Sequence, residues 1–451
     1  MIARNAKLIL LADATILLSN VASSLIGARA LGPAGRGDLL IIAIWPPVLA
    51  MIAGLGLPTA YRYRVAKDPG LVSKLFSNAV IYAVVVGVAG IALAELIVPR
   101  LVGERGAGVM ILVRIYQVNI LAALFLDLMR GLLEGTRRFG WAGAARAIFF
   151  GVQTVGFAGL WFAGRFTVAT AAFTLITAQT AAMLLALAAV WHQFRPRWQP
   201  SWAELKRSMS YALRDYPGGV ADYTTLRLDQ LMLGAVASNV ALGLYVVAVR
   251  LSEMTAMAAE AIADALMPEV AASKTSARAE SLWARSLRIT IYLHLLILVP
   301  LWLGAPLILK TLFGAEFVGA AGPFRWLLFA AAVWGWASIV ISGLRGFGYP
   351  GLSTVARFSG AATTAVALLI LLPRFGITGA AIASLIGYGV MLVVALFVFV
   401  RKRQLNLWEC LRPRRQDLMI PGWKSLRGFL FPKAAVVAAA PCEVSSDKVA
   451  A

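Results

Sequence analysis

Apolar stretches about as long as a bilayer is thick recur along this chain, separated by short segments rich in glycine, proline and charge. A membrane-spanning helix needs roughly 20 mostly apolar residues, and the pattern predicts about 12 of them. They lie near 8–28, 38–60, 75–97, 107–129, 139–163, 168–190, 214–236, 241–267, 287–309, 322–344, 351–373 and 377–400. The punctuation is explicit: Leu31-Gly32-Pro33-Ala34-Gly35, Gly135 to Gly140, and Gly346-Phe347-Gly348-Tyr349-Pro350. The first stretch follows Arg4 and Lys7 but is long and contains Asp13 and Asn20, so it reads as a retained span rather than a cleaved leader. Pro46-Pro47 and Pro58 in span two and Pro217 in span seven remove helix hydrogen bonds, and Pro46-Pro47 predicts a kink.

Composition turns this pattern into a class. Of the 451 residues 60% are hydrophobic and 14% charged, whereas a soluble domain carries roughly 25% charged residues. The chain is read as an all-α polytopic membrane protein. Lys+Arg number 42 against 21 Asp+Glu, a net charge of +21. Sorted by predicted loop, 28 of these cations fall on the side of the N-terminus and 7 on the other. Excess Lys and Arg mark cytoplasmic loops, so both termini are expected in the cytoplasm. The basic charge is therefore mostly topological, and a nucleic-acid partner is not expected. Cys410 and Cys442 both follow the last span and suggest no disulfide framework.

The two halves resemble each other. Phe139-Gly140-Trp141-Ala142-Gly143 recurs as Phe347-Gly348-Tyr349-Pro350-Gly351, and Arg165-Phe166-Thr167-Val168 as Arg374-Phe375-Gly376-Ile377, at offsets of 208 and 209. These matches predict two six-helix bundles related by a parallel pseudo-repeat, an arrangement that in transporters places the substrate site between the halves; chance similarity of glycine-rich loops is the alternative. The expected organisation is a bundle over 1–191, a cytoplasmic linker over 192–213, a second bundle over 214–400, and a basic, largely disordered cytoplasmic tail over 401–451. Within the linker, Trp202, Leu205, Met209 and Leu213 fall at helical spacing and predict an interfacial helix.

Charges inside spans are the most informative residues, because an Arg at a helix centre costs roughly 2.5–3.5 kcal/mol to insert. Span seven carries Asp222, Arg227 and Asp229; span eight carries Arg250, Glu253, Glu260 and Asp264 on one helical face. If the two spans form a hairpin turning at Ser238-Asn239, Arg227 comes level with Glu253 and Asp229 with Arg250. That arrangement either neutralises itself or lines a cavity whose ion pairs rearrange. Arg114, Arg146 and Arg357 have no acid nearby in their own spans. They are candidates, with Arg227 and Arg250, for an anion-receiving cavity, since guanidinium binds phosphate in bidentate fashion. Snorkelling of all three to a span end is the alternative. Asp13, Asp222, Asp229, Glu253, Glu260 and Asp264 are candidates for ion coupling or internal pairing. No phosphate-binding Gly-x-x-x-x-Gly-Lys-Ser/Thr motif occurs, and His192 and His294 have no metal-ligand spacing. No catalytic residue, cofactor or metal is therefore expected, and the short outer loops leave little room for a catalytic domain.

The segment from Gly27 to Asp38 (Gly-Ala-Arg-Ala-Leu-Gly-Pro-Ala-Gly-Arg-Gly-Asp) resembles the first-loop motif of the oligosaccharide flippases. These belong to the multidrug/oligosaccharidyl-lipid/polysaccharide exporter superfamily. Gly54-Leu55-Gly56-Leu57-Pro58 resembles that family's end of span two. Asp222 to Asp229, Leu242-Gly243-Leu244-Tyr245 and Val249-Arg250-Leu251-Ser252-Glu253 resemble its span seven–eight hairpin. The resemblance covers residues 5–400. It implies a two-bundle fold in the bacterial cytoplasmic membrane, working by alternating access on an oligosaccharide linked to polyprenyl diphosphate. Glycosyltransferases or a polymerase of the same pathway would be its partners, besides membrane lipids. A drug or cation antiporter of the same superfamily is the alternative and requires an acid-dominated cavity. A membrane sugar ligase or polymerase is a third reading.

Overall fold

A computed structural model describes residues 2–102, 106–136, 138–271, 273, 275–404 and 406–412. Among these, the side chains of 2–15, 17, 139, 214, 215, 268, 407 and 409 are not described. The Asp13 side chain, Cys442 and the rest of the tail beyond 412 therefore lie outside the described residues.

Every regular element among the described residues is a helix. The first seven are α1 (Ile2–Gly54), α2 (Leu57–Lys67), α3 (Val72–Val102), α4 (Ala107–Tyr116), α5 (Asn119–Gly135), α6 (Phe139–Phe162) and α7 (Val168–Phe194). The rest are α8 (Trp202–Val236), α9 (Asn239–Ala271), α10 (Ser276–Leu303), α11 (Ala305–Leu312), α12 (Ala321–Gly346), α13 (Pro350–Arg403) and α14 (Leu407–Leu411). Nine helical stretches among the described residues are long and apolar enough to cross a membrane. Two of them hold more than one span's worth of residues. α1 and α13 each consist of two helices meeting at a glycine, Gly32 (φ 63°, ψ −178°) and Gly376 (φ 55°, ψ −136°). Positive φ with such ψ is nearly closed to residues bearing a Cβ. Dividing both helices there, and adding the charged α8, gives the twelve spans expected from the pattern.

The structure departs from expectation in local detail. At Pro46 and Pro47 the backbone keeps helical dihedrals, and the break in α1 falls at Gly32. Pro58 does not interrupt a helix: α1 ends at Gly54, Leu55 and Gly56 take positive φ, and α2 restarts with the proline in its first turn. There the missing N–H costs no hydrogen bond. The interfacial helix expected ahead of span seven is instead continuous with it, so α8 runs unbroken from Trp202 through Pro217. The paired turns before spans six and twelve are built differently. Before α7, Thr167 and Thr170 form a reciprocal cap, each hydroxyl accepting from the other's backbone N–H at 3.2 and 2.8 Å. In α13, Gly376 alone makes the break.

The chain forms two compact units. The first contains Met1–Val220, Gln230–Val247 and Leu312–Phe317. Its core packs Leu57 and Tyr61 of α2, Leu75 and Phe76 of α3, and Leu128, Met129 and Leu132 of α5. Helices approach closely through small residues: a Cβ on Gly131 or Gly135 of α5 would lie 2.5 or 2.6 Å from the carbonyl oxygens of Pro58 or Arg62. Such packing is the ordinary substitute for hydrophobic drive between helices in lipid. The segment around Gly32 is also held here. Arg29 Nε donates to the Leu312 carbonyl at 2.7 Å, and Asn239 Nδ2 donates to Asp38 Oδ1 at 2.5 Å.

The second unit contains Ala221–Asp229, Ala248–Thr311 and Val318–Ala451. Its core includes Leu266 of α9, Trp283 of α10, Ile339 and Leu344 of α12, and Met391 and Phe399 of α13. α14 is tied to α10 by Arg288, whose Nη1 donates to the Cys410 carbonyl at 2.6 Å, and Cys410 is fully buried.

Candidate functional site

The second unit encloses a cavity of about 250 Å³. α8 contributes Leu226, Arg227 and Asp229; α9 contributes Val249, Ser252, Glu253, Ala256, Met257 and Glu260; α12 contributes Leu327, Ala330, Ala331 and Trp334; α13 contributes Tyr388. These side chains converge because the charged positions on α9 recur at helical spacing and share one face. Removing such charges from water is costly unless each finds a partner.

The partners are specific. Arg227 Nη1 lies 2.8 Å from Glu253 Oε1, and Arg250 Nη1 lies 3.4 Å from Glu253 Oε2, so one carboxylate bridges two guanidinium groups. Glu260 Oε1 accepts from Trp334 Nε1 at 2.8 Å. Asp229, only 2% exposed, accepts from Ser384 Oγ at 3.3 Å. Tyr388 donates to the Thr225 carbonyl at 3.4 Å and its ring lies 5.1 Å from that of Trp334. Beyond the lining, Arg357 Nη1 lies 2.9 Å from Asp222 Oδ2, joining α13 to α8.

The sequence places Arg227 level with Glu253, and the two are paired. It places Arg250 level with Asp229, but Arg250 turns to Glu253 one turn along its own helix, where an i,i+3 pair meets without help from a neighbour. Arg357 has no acid in its own span; its partner Asp222 lies on another helix. Arg114 is paired in the same way: its Nε lies 3.2 Å from Glu95 Oε1 on α3, and both side chains are exposed. Arg146 is on α6, in the first unit, and is exposed. Asp264 lies one turn beyond Glu260 on α9 and is exposed. The cavity thus collects Arg227, Asp229, Glu253 and Glu260, with Arg250 at its edge through Glu253, while Arg114, Arg146 and Arg357 are not among its lining residues.

This changes its charge. Among the described lining residues there is one Arg against three carboxylates. Aromatic residues missed by sequence reasoning complete it. Trp334 and Tyr388 look like ordinary span residues, and the only signal available was that each carries a polar handle that must be satisfied when buried. No group of three or more His, Cys, Asp or Glu side chains among the described residues is placed to hold a metal ion.

A bundle of membrane-spanning helices broken at glycines, with a charged cavity inside one unit, defines a class of polytopic membrane protein that solved structures also represent. The lipid II flippase MurJ in an inward closed conformation superposes with a TM-score of 0.74 at 12% identity, over 92% of this chain and 91% of that one. An inward-facing multidrug resistance MATE family transporter of the MOP superfamily gives 0.70 at 16% identity, over 86% and 94%. The helical fold is therefore the one these two proteins share. A family described as "Polysaccharide biosynthesis protein" matches residues 26–321, and the chain belongs to that family. An uncharacterized membrane protein of Methanocaldococcus jannaschii is 33% identical over 90 residues, which is 20% of this chain and 18% of that protein's length.

Proposed function

We propose that this protein is a flippase carrying an oligosaccharide linked to polyprenyl diphosphate from the inner to the outer leaflet of the bacterial cytoplasmic membrane, for surface polysaccharide synthesis. In this reading both termini are cytoplasmic, and the halves 1–191 and 214–400 alternate access to the substrate. The protein performs transport rather than catalysis, and the enzymes that build and polymerise the glycan are its partners. The observation that carries the reading is the Arg227–Glu253–Arg250 bridge beside the cavity, in a chain belonging to a polysaccharide biosynthesis family. Two guanidinium groups held by one carboxylate form a cluster that a diphosphate can compete for, because it offers both of them a bidentate partner. Trp334 and Tyr388 supply the amphipathic surface on which sugar rings pack.

The test is reconstitution. Proteoliposomes containing the full chain and a fluorescent oligosaccharide on a polyprenyl diphosphate should expose label at the opposite leaflet, read by quenching from one side. Protein-independent rates would overturn the proposal. The acid-rich lining supports a second reading, an ion-coupled exporter of organic cations. In the same vesicles it predicts gradient-driven expulsion of a cationic dye and no movement of the glycolipid.

A further inference from the structure

A second, larger cavity lies in the first unit, on the side where the sequence gathers its cations. Its volume is about 470 Å³, and it is lined by Tyr63, Arg64, Lys67, Asp68, Arg207 and Tyr211, with Leu71 completing the lining. That is within the roughly 300–1,000 Å³ range of ligand pockets. Two elements make it. α2 presents Tyr63, Arg64 and Lys67 along one side, and the first turns of α8 present Arg207 and Tyr211. The phenol rings of Tyr63 and Tyr211 stack at 4.4 Å and 6°, forming one continuous aromatic wall.

The pocket is built, not an accident of surface side chains. The segment leading into α8 is clamped to α3: Asn78 Nδ2 donates to the Ser201 carbonyl at 2.8 Å, and the Ser201 N–H donates to Asn78 Oδ1 at 2.9 Å. Ser77 Oγ accepts from the Gln199 N–H at 2.8 Å. Glu204, 7% exposed, then holds both Arg64 and, at 3.0 Å, Arg207. One buried carboxylate thus positions two guanidinium groups without cancelling them. Lys67 makes no ion pair among the described residues, and the Asp68 carboxylate is engaged by the Gly70 N–H at 2.9 Å. Trp198 and Trp202 on the same segment are 60% and 77% exposed. Exposed Trp beside clustered cations marks the headgroup layer of a bilayer.

We infer that this pocket binds the phosphate of a lipid headgroup, with Arg64, Lys67 and Arg207 taking the phosphate oxygens and the Tyr63–Tyr211 wall covering the glycerol or first isoprene carbons. Two Arg forks and one Lys suit a phosphate better than a carboxylate, because three donors can each meet a separate oxygen. The site is separate from the cavity of the second unit, and its existence does not depend on the transport reading.

The test uses the full chain, purified in neutral detergent and stripped of lipid, titrated calorimetrically with dihexanoyl phosphatidylglycerol, farnesyl diphosphate and inorganic diphosphate. Saturable binding of the two lipids is expected, weakened at least tenfold by Lys67→Gln, an exposed position whose change leaves the fold intact, and further by Lys67→Gln/Arg207→Gln. Tyr63→Ala should weaken the lipids alone. Preference for farnesyl diphosphate makes the occupant a carrier lipid, and equal binding makes it a bulk phospholipid. Inorganic diphosphate bound as tightly as either lipid, and lost in the same variants, keeps the phosphate site but assigns it a soluble occupant. Unchanged affinity for all three ligands in the double variant overturns the inference. Arg227→Ala, in the cavity of the other unit, lowers flipping under the transport proposal and should leave phosphatidylglycerol binding here as it is, so failure of the transport proposal and failure of this one are separable.

Discussion

Arg357 on α13 and Asp222 on α8 meet at 2.9 Å, and the Arg side chain is 7% exposed against 31% for the Asp. The pair crosses between two helices far apart in sequence. Removing Asp222 deprives the buried Arg357 guanidinium of this carboxylate, and losing one partner of a buried ion pair typically costs about 3–5 kcal/mol. Arg357→Met and Asp222→Asn should therefore each lower the thermal midpoint in detergent sharply. The double variant should lose less than the sum of the two, by at least about 1 kcal/mol, as directly coupled residues do. Additive losses would mean that the pair contributes no coupling and that Arg357 acts through other contacts.

Glu253 gives a different expectation, because it neutralises Arg227 and Arg250 together. Glu253→Gln keeps the shape and removes the charge that holds the two guanidinium groups apart from substrate. If the cluster exchanges partners during transport, this variant should bind the diphosphate-linked substrate more tightly yet release it more slowly. Net flipping in vesicles should then fall at least tenfold at unchanged protein level. Arg227→Ala should lower both binding and flipping. Wild-type transport in Glu253→Gln would make the bridge a purely structural contact.

Much of this arrangement is legible in the sequence, and the part that is not has a common cause. Span number follows from hydrophobic length, since the bilayer imposes it, and the Arg227–Glu253 pair follows from depth in a tight hairpin. Pairings between helices that are not sequence neighbours do not follow. Asp222 with Arg357 and Trp334 with Glu260 depend on how helices pack, which hydrophobic periodicity leaves open. The lining is poorer in Arg than the candidate set because Arg114, Arg146 and Arg357 lie outside it, while its three carboxylates come from α8 and α9, the two helices that already carry Arg227 and Arg250. The break at Gly32 rather than Pro46-Pro47 is a related lesson: a proline pair can be carried with helical dihedrals, whereas a φ of 63° with ψ near 180° needs glycine.

Two segments that resemble the same family, Gly27 to Asp38 and Leu242 to Tyr245, touch in the fold. A Cβ on Gly243 would overlap the Pro33 carbonyl oxygen, and one on Gly37 would overlap the Asn239 carbonyl oxygen. Both obstacles are backbone, which cannot rotate aside as a side chain would. Gly243→Ala and Gly37→Ala should each cost about 1–3 kcal/mol, the usual penalty for overpacking. A Ser23→Ala control, at a buried position without such an approach, should cost less. Thermal melts in detergent measure the difference, and equal midpoints for all three variants would contradict the close approach.

Asn78, also in the first unit, has no charge to offer, yet its amide makes both hydrogen bonds that fix Ser201 at the start of α8. It is 4% exposed, so losing the amide leaves the Ser201 N–H without its partner, while the Ser201 carbonyl keeps the Leu205 N–H at 3.0 Å. Asn78→Ala should cost about 1–3 kcal/mol and should loosen the 195–201 segment before the rest of the unit. Limited proteolysis is the direct readout: cleavage after Arg195 or Arg197 should appear in the variant at protease levels that leave the native chain whole. Asn78→Asp should restore the acceptor for the Ser201 N–H but not the donor for its carbonyl, and should fall between the two. If Asn78→Ala is cleaved no faster than the native chain, the clamp does not hold the entrance to α8, and the shape of the phosphate pocket must be set by Glu204 and its two arginines alone.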